Sequence, residues 1–355
     1  MRTHLILFLA VLAAFSAAAR AQESNAIVRQ DSALDAIVPP GARVEKIAGN
    51  LGYLEGPVWV RKGGYLIFSD MRANVIYKWN PTGGKVSVFL ERSGFTGTDP
   101  TGIGPIRGFG NDEYSLTGSN GVTLDPQGKI VFCAWGDRQI VRLEEDGRRT
   151  VLASHYESKR LNSPNDLVYR SDGALYFTDP PSGLRGGEKD PRRELPFSGI
   201  YLLKGGKLQL LLDDLRPNGL ALDPTEKYLY IIDNGSRTIR RYEVQRDGTI
   251  ANGKVFAPRG AGSIKLDREG NIYYTAGNLR TNDREVVVGN ANYTASQLNS
   301  RGVWILSPAG KHLGTIPIPQ DLSNLAFGDA DGKTLFVTGR TEVYRIRLKI
   351  PGILP

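Results

Sequence analysis

Short runs of alternating apolar and polar residues recur along this chain, and almost no stretch carries the three-to-four-residue spacing of an amphipathic helix. One sentence of residues is repeated. A polar residue and a small one open an apolar strand, a Gly- or Asp-rich turn follows, and a second strand rich in Tyr, Ile and Val closes it. The first copy opens at Glu55-Gly56-Pro57-Val58-Trp59 and turns at Lys62-Gly63-Gly64. Later copies open at Asn120-Gly121, Asn165-Asp166, Asn218-Gly219, Gly262-Ser263 and Asn324-Leu325. Most are followed by a third strand, as in Val75-Ile76-Tyr77-Lys78-Trp79 and Val303-Trp304-Ile305-Leu306.

Six copies of about 50 residues predict an all-β protein, a six-bladed β-propeller spanning residues 42–350. A β-sandwich gives no reason for the same sentence six times. The last copy supplies only three strands, ending at 343–348, while residues 43–48 form a lone alternating strand ahead of the first blade. That strand is expected to complete the last blade and close the ring. Residues 22–41 read as a polar leader with little to bury, and 351–355 as a tail.

Ahead of the leader, Arg2 and His4 precede an apolar run that ends at Ala19-Arg20-Ala21. A basic start, an apolar middle and a small-x-small close describe a secretory signal peptide, residues 1–21, too short for a membrane span. The expected setting is periplasmic or secreted.

Composition narrows the chemistry. Glycine accounts for 42 of the 355 residues, well above the roughly 7% of average usage, as the many tight turns require. The single Cys, Cys133, excludes an internal disulfide and a thiolate zinc cluster; three His make an imidazole metal site nearly impossible. His155 and His312 fall on expected connecting loops. The net charge of +8 comes from scattered pairs such as Arg148-Arg149 and Arg240-Arg241, not from the one-sided stripe of a nucleic-acid binder. No G-x-S-x-G run is present, which argues against a serine-nucleophile esterase.

In a propeller the first strand of each blade lines the central channel, so the opening residues ring one mouth. Here they are Glu55, Asn120, Asn165, Asn218, the Gly262-Ser263 pair and Asn324. Asn before Gly is also simply a good turn residue. A Glu and four Asn at one repeat phase argue further, for a polar mouth of oxygen donors suited to a hard cation such as Ca²⁺ or another divalent ion.

The runs Leu54-Glu55-Gly56-Pro57-Val58-Trp59, Asn162-Ser163-Pro164-Asn165-Asp166-Leu167, Phe177-Thr178-Asp179-Pro180-Pro181 and Arg216-Pro217-Asn218-Gly219-Leu220 resemble the senescence-marker-protein/gluconolactonase/luciferin-regenerating-enzyme family, and its secreted bacterial gluconolactonase-like members most. The resemblance covers roughly residues 44–350. It implies a six-bladed propeller with an axial divalent cation, usually Ca²⁺, and hydrolysis of sugar lactones. It places metal ligands at Glu55, Asn165 and Asn218, and a catalytic or substrate-orienting carboxylate at Asp166. Asn120, Trp135 and Ser263 are candidate substrate contacts, Trp135 either stacking on a sugar ring or packing in the core.

Two departures stand out. Gly262 occupies the position where the family's fourth ligand, an Asp, is expected, and Ala134-Trp135 replaces an expected Glu-His. The first reading is therefore a calcium-dependent lactone hydrolase acting on a small lactone or sugar-like substrate. The alternative is a non-catalytic or repurposed propeller that binds a sugar-like ligand or a protein. A long insertion at 276–301 can fold over the mouth as a lid, with Asp283 or Glu285 supplying the missing carboxylate, or remain a solvated loop. Segments 91–119 and 180–198 are expected at the same mouth, the second carrying Arg185, Lys189, Arg192 and Arg193 toward an anionic substrate or toward solvent.

Overall fold

A computed structural model describes residues 26–109, 112–258, 260–276, 286–288, 291–293 and 301–355. The expected signal peptide lies outside the described residues, as do Asp283 and Glu285. Among the described residues no helix is long and apolar enough to cross a membrane.

Six antiparallel sheets form the blades. Blade one is Leu54–Val60, Tyr65–Asp70, Val75–Trp79 and Val86–Glu91. Blade two is Val122–Leu124, Ile130–Ala134, Gln139–Leu143 and Arg149–Ala153. Blade three runs Leu167–Tyr169, Leu175–Asp179, Gly199–Lys204 and Lys207–Leu212. Blade four runs Pro217–Leu222, Tyr228–Asp233, Thr238–Val244 and Ile250–Pro258. Blade five comprises Gly260–Leu266, Ile272–Ala276, Gly302–Leu306 and His312–Ile316. Blade six takes Leu322–Gly328, Thr334–Gly339 and Val343–Arg347 from the end of the chain. Its outer strand is Glu45–Ala48, paired antiparallel with Val343–Arg347. The expected closure of the ring is therefore observed.

Neighbouring residues of the second strands face opposite ways, and both faces are apolar. In blade two, Val131 and Cys133 pack toward blade three, while Ile130, Phe132 and Ala134 pack toward blade one. In blade five, Tyr273 joins the layer shared with blade six, and Ile272 and Tyr274 the layer shared with blade four. One apolar layer separates each pair of blades, including the pair made of blades six and one, where Trp59 stacks on Phe336.

The leader differs from its expectation. Val28–Arg29 adds a fifth strand to blade five, beside His312–Ile316. A 3-10 turn, Ser32–Ala36, follows, with the Asp31 carboxylate accepting from the Ala33 N–H. Leu34, Ile37 and Val38 are buried in the layer between blades five and six. These three apolar residues, spaced to share one side of a tight turn, plug the cleft between two twisted sheets. The 351–355 segment is likewise packed: Gly352 bridges Asp267 and the Ile353 N–H donates to Leu266 O at 3.0 Å. His155 and His312 sit on strands, not loops; His312 is buried and stacked on Trp304.

Because Leu34 is fully buried among side chains from two blades, Leu34→Ala is expected to cost about 3 kcal/mol. Urea unfolding checks this, and a change below about 0.5 kcal/mol, the usual range at an exposed site, would contradict the packed leader.

Candidate functional site

Where the first strands start, the six opening positions follow one another around the axis, each touching the next. A Cβ on Gly56 would lie 2.2 Å from the Asn120 carbonyl oxygen, so blades one and two meet there backbone to backbone. The Gly121 N–H donates to Asn165 O at 2.8 Å. The Thr178 hydroxyl donates to Asn218 O at 2.9 Å, and Asn218 Nδ2 donates to Ala261 O at 2.9 Å. Gly262 abuts the carbonyl of Ser323. Asn324 Nδ2 donates to Glu55 Oε2 at 3.0 Å, which closes the circle between the last and first blades.

A layer of hydroxyls sets these turns. Each comes from near the end of a second strand. Ser69 Oγ donates to Asn120 O; Thr178 Oγ1 accepts from the Asp166 N–H, and Thr338 Oγ1 from the Asn324 N–H. Thr275 Oγ1 accepts from the N–H groups of both Gly262 and Ser263. One residue beyond Ser69 and Thr178, and at the end of the second strand of blade four, stand buried carboxylates that hold the incoming loops. Asp70 accepts from Gly52 and Tyr53, Asp179 from Asn162 and Ser163, and Asp233 from Arg216.

Asp166 is buried on the channel wall with Oδ1 accepting from the Leu167 N–H at 2.9 Å. Space for its carboxylate exists because its neighbours are glycines: a Cβ on Gly121 would lie 2.8 Å from Oδ1, and one on Gly219 3.3 Å from Oδ2. Lys265 Nζ stands 3.7 Å from Asp166 Oδ2. Glu55 has protein closed around it, and the loss of water pushes its carboxyl up to about 7. The Asp166 charge adds to that rise, while the Asn324 hydrogen bond and Lys265 oppose it.

The donors fit a hard cation. Glu55 gives a carboxylate short of positive charge, and Asn218, with its Nδ2 already committed, has Oδ1 left to offer. Asn120 Oδ1 and Ser263 Oγ are buried without a hydrogen-bond partner, which marks polar atoms waiting for a bound species. Among the described residues no group of three or more His, Cys, Asp or Glu could hold a metal, so any ion here relies on amide oxygens and water beside the single Glu55 carboxylate.

The chain matches the model of the SMP-30/Gluconolactonase/LRE-like region over residues 53–341. The chain belongs to this family. It is 35% identical over 337 residues to a gluconolactonase of Zymomonas mobilis, covering 90% of this chain and 85% of that one. A gluconolactonase structure from Xanthomonas campestris superposes with a TM-score of 0.72 at 29% identity, covering 91% of this chain and 94% of that one. Regucalcin from Agrobacterium tumefaciens, a calcium-binding protein, shares the fold alone, at TM-score 0.63 and 16% identity over 88% of this chain and 96% of that one.

Within this family's fold, Glu55, Asn120, Asn165, Asp166, Asn218 and Ser263 share one channel mouth. Trp135 is packed rather than free to stack on a sugar: it is 5% exposed, lies with Met71 and Leu116, and donates Nε1–H to Ser163 O at 3.1 Å. The basic residues of 180–198 are largely committed within the protein. Arg185 bonds to Ile103 O and Ser115 Oγ across the two mouth loops, Arg192 forks onto Asp190, and Arg193 donates to Glu188 O. In the insertion, Val286–Val288 pairs with Ala291–Tyr293 and lies against Ile250–Pro258 of blade four. Sequence reasoning missed Lys265 and the Ser/Thr layer. The recurring Ser69-Asp70 and Thr178-Asp179 pairs were the available signal.

Two outcomes follow for the site. A Cβ at Gly262 would lie 2.2 Å from Ser323 O, so Gly262→Ala and Gly262→Asp are both expected to destabilise by about 1–3 kcal/mol; an unchanged melting temperature would show that the backbone yields freely. The second concerns Glu55. Its folded pKa exceeds its ordinary 4.5, so the folded state holds an extra proton between about 4.5 and about 7. In chelator-treated protein this contribution makes stability decline as pH rises through that window. Glu55→Gln is expected to flatten the decline in thermal melts taken from pH 4 to 8.

Proposed function

We propose that the protein hydrolyses small lactones, sugar lactones foremost, at the mouth built around Glu55 and Asp166, with a divalent cation, Ca²⁺ by preference, held by Glu55, Asn165 and Asn218. The observation that carries this reading is the joining of Glu55 and the ring of amides at one end of the channel, with Asn120 Oδ1 and Ser263 Oγ left unsatisfied. The gluconolactonases of Zymomonas mobilis and Xanthomonas campestris supply the substrate class.

A cation bound there supplies Lewis-acid polarisation of the lactone carbonyl. Asn324 holds the Glu55 carboxylate at the axis through Oε2. Asn120 and Ser263 offer their free oxygens to substrate hydroxyls. Asp166, with Lys265 Nζ 3.7 Å from its Oδ2, takes a proton at that oxygen from the attacking water. The water oxygen bonds to the carbonyl carbon, the ring C–O bond breaks, and the ring oxygen leaves with a proton as the hydroxyl of the product acid. Secretion through the signal peptide at 1–21 places this chemistry outside the cytoplasm. The second reading, a ligand-binding propeller without turnover, draws on Gly262, where a side chain has no room.

The test is hydrolysis of glucono-δ-lactone and an aryl ester with Ca²⁺ added or chelated. Wild type is expected to lose activity on chelation and recover it with Ca²⁺, and Glu55→Gln and Asp166→Asn to lose at least about 100-fold in kcat/KM. Activity indifferent to chelation and to Glu55→Gln would overturn the proposal; saturable lactone binding without turnover would establish the second reading.

A further inference from the structure

Beside Glu55 the mouth carries a hairpin that the hydrolytic steps leave unused. Ile106–Phe109 pairs with Asp112–Ser115, and Arg107 stands directly across from Tyr114, so the two side chains share one face. The hairpin is moored at its base. The N–H groups of Thr117 and Gly118 donate to Met71 O at 2.9 and 2.8 Å, Leu116 is buried with Met71 and Trp135, and Arg185 reaches Ser115 Oγ from the blade-three loop. Arg72, next in the chain to Met71, lays its guanidinium over the Tyr114 ring, 4.4 Å from the centroid. Two guanidiniums therefore flank one tyrosine. Both are exposed, and among the described residues neither makes an ion pair; Arg107 Nη1 donates to Ile106 O at 3.1 Å. Asp112, on the same face two residues from Tyr114, forms no ion pair among the described residues either.

Tyr53 connects this pair to the axis. It packs, as Tyr114 does, against the cluster of Met71, Leu116 and Trp135, and its N–H is fixed on Asp70 at 3.1 Å. Burial pushes its phenol above the ordinary range; the Glu55 charge adds to that rise, while Arg340 and Arg107 oppose it. Arg340 is already engaged, accepting from the Leu54 N–H at 3.0 Å and pairing with Asp321 at 3.3 Å. The Tyr53 ring thus stands between the axial carboxylate on one side and Arg107 on the other. Two residues of chain span at most about 7 Å, so a six-carbon sugar seated over Glu55 extends past Tyr53 toward the arginines.

We propose, resting on the lactonase reading, that Arg72 and Arg107 form an anion subsite at the mouth and that the preferred substrate is a sugar lactone carrying a second acid group, a carboxylate or a phosphate, at the end remote from the lactone carbonyl. The guanidinium fork donates in parallel to two oxygens of either group. A sugar hydroxyl accepts one such bond and neutralises nothing. An oxyanion accepts both and offsets the repulsion between two cations on one ring. The same positive rim draws anions toward a mouth whose own carboxylates, Glu55 and Asp166, repel them.

Two substrate pairs test this on the full chain. D-glucaro-1,4-lactone differs from D-glucono-1,4-lactone by a carboxylate in place of a hydroxymethyl group, and 6-phosphoglucono-δ-lactone differs from glucono-δ-lactone by one phosphate. Wild type is expected to favour the charged member of at least one pair by about tenfold or more in kcat/KM, and the preference to shrink as ionic strength rises. The pair that shows it identifies the acid group. Arg72→Met and Arg107→Met should each erase most of that preference through KM and leave turnover of the neutral lactones within about twofold, which also reports that the variants are folded. The proposal is overturned if neither charged lactone is favoured, if the preference survives both substitutions, or if both variants lose charged and neutral turnover alike. Should wild type hydrolyse none of the four, the hydrolytic reading fails separately, and calorimetry with the same lactones decides the subsite. Tighter binding of a charged lactone that Arg107→Met abolishes supports it; equal binding within both pairs overturns it.

Discussion

Each second strand is apolar on both faces, and a sheet with two apolar faces has to be covered twice. No blade can meet that requirement alone, so each depends on a neighbour at either side. With sheets alone to supply the cover, a stack of blades leaves no face exposed when it closes into a ring. Layers such as that of Val131 and Cys133 against blade three, and Phe132 against blade one, are how this is met locally. The same logic explains why Glu45–Ala48 crosses to the last blade and why Leu34, Ile37 and Val38 fill the cleft beside it. Water is tolerated at the outermost strands, where Val88, Val151 and Val255 stay exposed.

Ring geometry brings the first strands to the axis and leaves their opening residues little room. Polar side chains there cannot all be solvated, and the fold answers with fixed partners: hydroxyls from Ser69, Thr178, Thr275 and Thr338, then the carboxylates of Asp70, Asp179 and Asp233. What remains without a partner, Asn120 Oδ1 and Ser263 Oγ, is therefore informative. At a mouth so fully hydrogen-bonded, an unpaired buried oxygen is a place where something else can bind.

The repeat was legible because period-two alternation and turn residues are local properties, and the closing strand because the last copy came up one strand short. The axial Glu and Asn residues were legible through their shared repeat phase. Contacts between blades were not, since they join residues distant along the chain. Lys265 reads as an ordinary strand lysine until the ring places it beside Asp166, about 100 positions away. Trp135 was open to two readings because burial by the 91–119 and 180–198 loops is a tertiary fact. Leu34, Ile37 and Val38 were hidden in a segment whose average is polar although its buried face is not.

The hydrogen bond from Asn324 to Glu55 spans 269 positions of sequence and joins blades folded from opposite ends of the chain. The axial carboxylate therefore acquires its partner only when the last blade docks against the first. A chain with five blades formed has the donors of blades two to five in place but an unanchored Glu55. Completion of the site and completion of the fold are one event, so the chemistry proposed for the mouth is withheld from every partly assembled molecule.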